Sequence, residues 1–211
     1  YYSGTNSDWT LYTVNSGAYV QMLTGLSIGS TGSSLPRSSF TVYGTLDCGT
    51  QQLTSQSSPG GHSFILAAGG TLITANVNGV VSGINGSITT VVTNRTFDDA
   101  ANYVFNGTAN QNTSFPNTTM NNLTINNTGT PGSNTVTITA APITVNGVLT
   151  LTSGIASTAT NLITVTNTAP TGVSGGSTSS YVSGPLKWNL PASLGSGSTY
   201  IFPVGKGTAT T

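Results

Sequence analysis

The chain has 211 residues, and only 4% are charged, against roughly 25% in an ordinary soluble domain. Four Lys/Arg face four Asp, with no Glu, so no cationic track exists for nucleic acid and no basic patch for an anionic membrane surface. Scarcity of Glu, Lys and Arg argues against helices, while abundant Thr, Val, Asn, Gly and Ser argues for short strands and many turns.

The apolar residues arrive in chain order as short alternating bursts. The first are residues 11–14 and 19–22, then 40–42, 64–66, 71–73, 77–81 and 88–92. Further bursts fall at 103–105, 123–125, 136–138, 143–145, 148–151, 162–165, 181–182 and 200–202. Each has the length of a short strand with turn-forming residues between, and none sustains a helical i, i+3, i+4, i+7 pattern. With 36% apolar residues in regular alternation, the chain is not a disordered polar tract. No apolar run reaches the roughly 20 residues that span a bilayer. No basic n-region and apolar h-region open the chain, so any secretion signal is expected to have been removed.

An internal repeat links distant parts. Thr41-Val42-Tyr43-Gly44-Thr45-Leu46-Asp47-Cys48 reads against Thr144-Val145-Asn146-Gly147-Val148-Leu149-Thr150-Leu151, keeping Thr-Val-x-Gly-x-Leu. Cys48 then falls opposite Leu151, which predicts a small core residue rather than a reactive thiol. One cysteine excludes an internal disulfide and a cysteine metal cage.

Two all-β architectures fit. In β-sandwich modules the Asn-Gly pairs at 78–79, 85–86, 106–107 and 146–147 would close hairpins. In a right-handed parallel β-helix the same residues would make corners, with asparagines bonding one another from coil to coil. The near-absence of charge favours the β-helix, because coils stacked about 4.8 Å apart would repeat any charge against itself. Coils of about 20 to 25 residues would give around nine coils and a rod on the order of 40 Å long. Residues 1–37 are expected to form N-terminal strands or first coils, continuous with a repetitive region over 38–211.

Asn121-Asn122-Leu123-Thr124-Ile125-Asn126-Asn127 and the stretch from Ile143 to Gly154 carry a style of repeat continued in Gly176-Ser177-Thr178-Ser179-Ser180-Tyr181-Val182-Ser183-Gly184-Pro185-Leu186 and Phe202-Pro203-Val204-Gly205-Lys206-Gly207. Over about residues 38 to 208 the sequence resembles repetitive surface proteins of Bacteroidetes exported by the type IX secretion system. The resemblance implies a β-helical stalk of a long adhesin or filament, outside the cell, with no catalytic residues; the residues themselves give no expectation of a cofactor or a metal. In such proteins the Phe-Pro-Val-Gly segment runs on into further modules and a sorting domain. Neither follows here, which suggests a fragment of something larger.

Candidate chemistry is sparse. His62 lies in Pro59-Gly60-Gly61-His62, which reads as a turn. Gly172-Val173-Ser174-Gly175-Gly176 satisfies G-x-S-x-G but lacks the strand–turn–helix context that gives the motif meaning. Asp98 and Asp99 are the only adjacent carboxylates; neighbours on a strand point apart, so they read as turn caps rather than an acid/base pair or a Ca²⁺ cage. Sequons at Asn85, Asn94, Asn106, Asn112, Asn117, Asn122 and Asn126 are what this composition produces by chance. Trp9 and Trp188 read as buried or end-capping before they read as a carbohydrate platform. The expectation is therefore a non-catalytic extracellular fibre or adhesin-stalk segment, self-associating or joined to other modules. Without a charged, proline-rich cap at either terminus, it could add end to end into a filament. The alternatives are a carbohydrate- or ice-binding β-helix, the latter through Thr135-Val136-Thr137-Ile138-Thr139, and, last, a polysaccharide lyase.

Overall fold

The computed structural model describes residues 10–28, 38–55, 62–89, 94–139 and 142–206. Trp9, Asp8, Arg37 and Pro59 to Gly61 lie outside the described residues. The strands follow one another around three faces. The first coil is β1 (Thr10–Val14), β2 (Tyr19–Gln21) and β3 (Leu26–Ile28), and the second is β4 (Ser38–Val42), β5 (Thr45–Asp47) and β6 (Leu53–Ser55). The third begins with β7 (Ser63–Leu66) and β8 (Thr71–Thr74); the fourth is β9 (Arg95–Phe97), β10 (Asn102–Phe105) and β11 (Gln111–Asn112). Next come β12 (Thr119–Met120), β13 (Asn122–Asn126) and β14 (Thr135–Thr137), then β15 (Ile143–Val145) and β16 (Leu149–Ser157). The seventh coil is β17 (Ile163–Val165), β18 (Val173–Gly175) and β19 (Ser180–Ser183), after which β20 (Leu186–Trp188) starts an eighth.

Every strand pairs in parallel with its counterpart one coil away. On the second face Leu46, Leu72, Tyr103, Leu123, Leu149 and Val173 form one in-register column. All six are buried, because alternate residues point inward and each coil repeats the alternation. This is a parallel β-helix; the sandwich alternative, which needs antiparallel hairpins, does not form. The second face runs unbroken from β2 to β18, seven strands making a stack of about 30 Å. Its neighbour, the first face, divides into β1-β4-β7-β9 and β12-β15-β17-β20. At that break the chain turns Phe115 inward, edge-on to Tyr103 and Phe105 at 5.2 and 5.5 Å. On the upstream half of the first face Tyr12, Phe40, Phe64 and Phe97 stack ring upon ring.

Asn-Gly pairs serve corners and loops, not hairpins. At the corner between first and second faces, Gly44 and Gly147 occupy equivalent places. A Cβ on Gly44 would collide with the carbonyls of Asn15 and Ala18, and one on Gly147 with the Asn122 side chain.

Several expected elements differ. Residues 77–81 are not a strand: the Asn78 amide donates to Asn76 Oδ1 and Gly79 takes φ +79°, so the third coil turns into an insertion, while Val80 and Val81 still donate to the Thr113 and Ser114 carbonyls one coil on. Ile88 returns as a single parallel bridge to Leu53, not a strand over 88–92, of which 90–92 fall outside the described residues. That insertion lengthens the coil, since Phe64 pairs with Arg95, whereas Ile143 pairs with Ile163. The described residues therefore complete seven coils, fewer than the expected nine. Residues 200–202 form a cover instead of a strand: Tyr200 and Phe202 pack edge-on to Trp188 at 5.0 and 5.4 Å. That end thus carries an aromatic cap, in which Trp188 is buried as the sequence reading has it and Tyr200 and Phe202, expected in a strand, form the cover.

Candidate functional site

The residues that could carry chemistry are dispersed. Asp98 Oδ1 accepts from the Ala100 amide at 2.8 Å, closing a turn, and Asp99 accepts from the Asn117 side chain at 2.7 Å. Asp98 is thus the turn cap expected of it, whereas Asp99 is held by a side chain of the next coil and does not cap a turn here. The Tyr103 phenol, buried beside them, is pushed well above its usual range by burial and then by the charges of Asp99 and Asp98. Ser174 lies mid-strand in β18, opposite Thr150, and a 3-10 turn (Pro170–Gly172) precedes the strand. A nucleophile elbow needs the reverse order, strand then helix, so the G-x-S-x-G match has no such setting.

His62 is a core residue. It is 2% exposed, and neither ring nitrogen has a hydrogen-bond partner. The sequence reading as a turn missed this because the residue directly precedes β7, on the same side of the backbone as Phe64. Cys48 is fully buried, as the repeat predicts, and burial followed by the Asp47 charge pushes its thiol up to about 12. Trp188 is 6% exposed and donates its indole N–H to the Asn167 carbonyl at 2.7 Å, so its face is not free for a sugar. Of the sequon asparagines, Asn85 and Asn112 are exposed, while Asn117 and Asn122 spend their side chains on Asp99 and Asn102. Thr135 and Thr137 point outward, but their neighbours one coil on are Ile155 and Ser157, so that threonine array does not continue there.

Among the described residues, two concavities lie at the corner between second and third faces. The smaller, about 530 Å³, lies beside the third-coil insertion, where Gln52 donates to the carbonyls of Ile84 and Gly86. The larger, about 1020 Å³, arises from unequal loops. The fifth coil crosses the corner with a loop at 127–134 and the seventh with one at 176–179. Between them β16 passes from face to face without a loop. Its 151–155 stretch turns at Gly154, where φ is +85° and a Cβ would meet the carbonyls of Asn134 and Asn127 at 2.6 and 2.8 Å. A bare coil between two looped ones leaves a trough. Ile155 and Tyr181 form its floor, Pro131 and Gly132 one wall, and Ser177, Thr178 and Ser179 the other; residues 201–206 close it. Those closing residues are held by a parallel bridge of Val204 to Val182.

Among the described residues no group of three or more His, Cys, Asp or Glu could hold a metal, and no helix is long and apolar enough to cross a membrane. No family model, no curated protein and no solved structure matches the chain.

Proposed function

We propose that the chain is a structural, non-catalytic segment of an extracellular bacterial surface fibre or adhesin stalk. The observation that supports this reading is the in-register column of inward side chains. The backbone of each coil is hydrogen-bonded to the next, and outward positions on the long second face from β8 to β18 carry no charge. Such an object extends by repetition, with stability summed over coil-to-coil interfaces. A single globular core would instead stop growing with length.

The dispersal of His62, Ser174, Asp98 and Asp99 is in keeping with a mechanical role. The resemblance to type IX-exported surface proteins points the same way and adds the location. Electron microscopy of the native material tests the reading. A thin continuous fibre or stalk at the cell surface is the expected result. A compact soluble particle, or turnover of a polysaccharide abolished by changing Asp98 or Asp99, would overturn it.

A further inference from the structure

We propose that the trough over the loop-less sixth coil binds a segment of hexuronate-containing polysaccharide. This goes beyond the stalk reading and does not depend on it. The floor comes first. Ile155 and Tyr181 are both partly exposed there, giving an apolar surface with a phenol at its margin. A pyranose ring offers the matching surface: an apolar C–H face edged by hydroxyls. Sites for such ligands combine an apolar lining with a few placed polar groups.

The walls supply those polar groups. Ser177, Thr178 and Ser179 are exposed, and their loop is already ordered, with the Ser179 amide donating to Ser177 Oγ at 3.2 Å. On the opposite wall Asn134 is 7% exposed, and its side-chain carbonyl has no partner within the protein. At about 1020 Å³ the trough slightly exceeds the roughly 300–1,000 Å³ of small-molecule sites, so it suits a run of sugars better than one.

Charge selects among glycans. Lys206 lines the trough, and among the described residues no carboxylate does. A lone ammonium complements one carboxylate at a time; it cannot neutralise the closely spaced phosphates of a nucleic acid. A cationic peptide would meet repulsion and no partner. A hexuronate places one carboxylate on a ring that can otherwise lie on Tyr181 and Ile155.

Titration calorimetry of the purified chain against oligomers of galacturonate, mannuronate and glucuronate, each beside its carboxyl-reduced neutral counterpart, tests the proposal. At least one acidic oligomer should bind, less tightly as salt rises, and its neutral counterpart about fivefold more weakly. Lys206→Met, at an exposed position, should reduce the acidic oligomer to the level of the neutral one. Thr178→Trp should plug the trough from its exposed loop and abolish both, with the thermal melt of each variant unchanged. No binding by any oligomer, equal binding of acidic and neutral forms, or binding that survives Thr178→Trp would overturn the proposal. So would equal capture of RNA.

Discussion

Asn122 donates its side-chain amide to Oδ1 of Asn102, one coil away, at 2.8 Å. Asn121 donates to the same oxygen at 3.0 Å, Asn102 passes its own amide to the Gly69 carbonyl at 3.0 Å, and Asn122 Oδ1 accepts from the Val148 amide at 2.7 Å. Four successive coils are thus stitched along one corner by two asparagine side chains, each acting as donor and acceptor. An amide is the side chain that can do both without charge. Asn102→Ala should cost about 1–2 kcal/mol in a denaturant titration, the usual cost of leaving partly buried partners unmade. Asn126→Ala, on the strand of Asn122 but outside the ladder, is the control and should stay within about 0.5 kcal/mol. Equal costs would mean that the ladder does not hold the coils.

A second polar line runs inside the opposite corner. Gln111, 1% exposed, donates to the carbonyls of Thr74 and Asn76 and accepts from the Gly107 amide and the Asn127 side chain. All its hydrogen-bonding capacity is used inside a low-dielectric core, where an orphaned partner is expensive. Gln111→Leu keeps the volume but removes all four bonds; the Thr74 and Asn76 carbonyls and the Asn127 amide keep one partner each, and the Gly107 amide is left unpaired in the core. It should lower stability by roughly 2–4 kcal/mol, read from the same titration. A neutral or stabilising result would show that packing alone fixes this corner.

The alternation of apolar residues and the Thr-Val-x-Gly-x-Leu repeat made the core legible. Val42 and Val145, Leu46 and Leu149, and Cys48 and Leu151 are all buried, at equivalent places in different coils. Gln111–Asn112 and Thr119–Met120 were not legible as strands, because two residues carry no periodicity. Their pairing is supplied by the coil on either side. Residues 77–81 misled for the opposite reason. Val80 and Val81 look like a strand, but Asn76 and Gly79 commit the backbone to a turn, and Val80 is buried from within the insertion. The trough is a difference between corner lengths, 127–134 against the bare corner of β16, and it emerges only once coils are aligned in space.

Alkaline pH should loosen the fold. The Cys48 thiol is raised from 9.0 to about 12, and Tyr103 is raised from 10.0, both chiefly by burial. Groups held protonated by the folded state stabilise it fully below their unfolded values, and that contribution is lost as pH climbs through the folded ones. The Cys48 share lies between pH 9.0 and about 12 and is on the order of 4 kcal/mol. Denaturation midpoints measured from pH 8 upward should fall steeply, and Cys48→Ala should flatten part of that slope. Labelling by a thiol reagent at pH 8 should follow global unfolding. Fast labelling of the native protein would refute the buried, inert thiol.

Phe115 marks where the solenoid should come apart first. The first face lacks pairing between β9 and β12, whereas β10 pairs β13 on the second face and β11 and β14 pair on the third. The 8%-exposed ring of Phe115, held edge-on by Tyr103 and Phe105, is the apolar contact at this junction. Phe115→Ala removes a buried aromatic where few backbone bonds compensate, so a loss of about 3–5 kcal/mol is expected. In a stack whose stability is a sum of neighbour interfaces, weakening one interface lowers cooperativity as well as stability. The variant should therefore unfold in a broadened or two-step transition. Hydrogen exchange should speed up first at β9 and β12 and leave β15 to β17 protected. A single sharp transition, shifted but uniform in exchange, would show that the second- and third-face pairings across this junction carry the coupling without the ring.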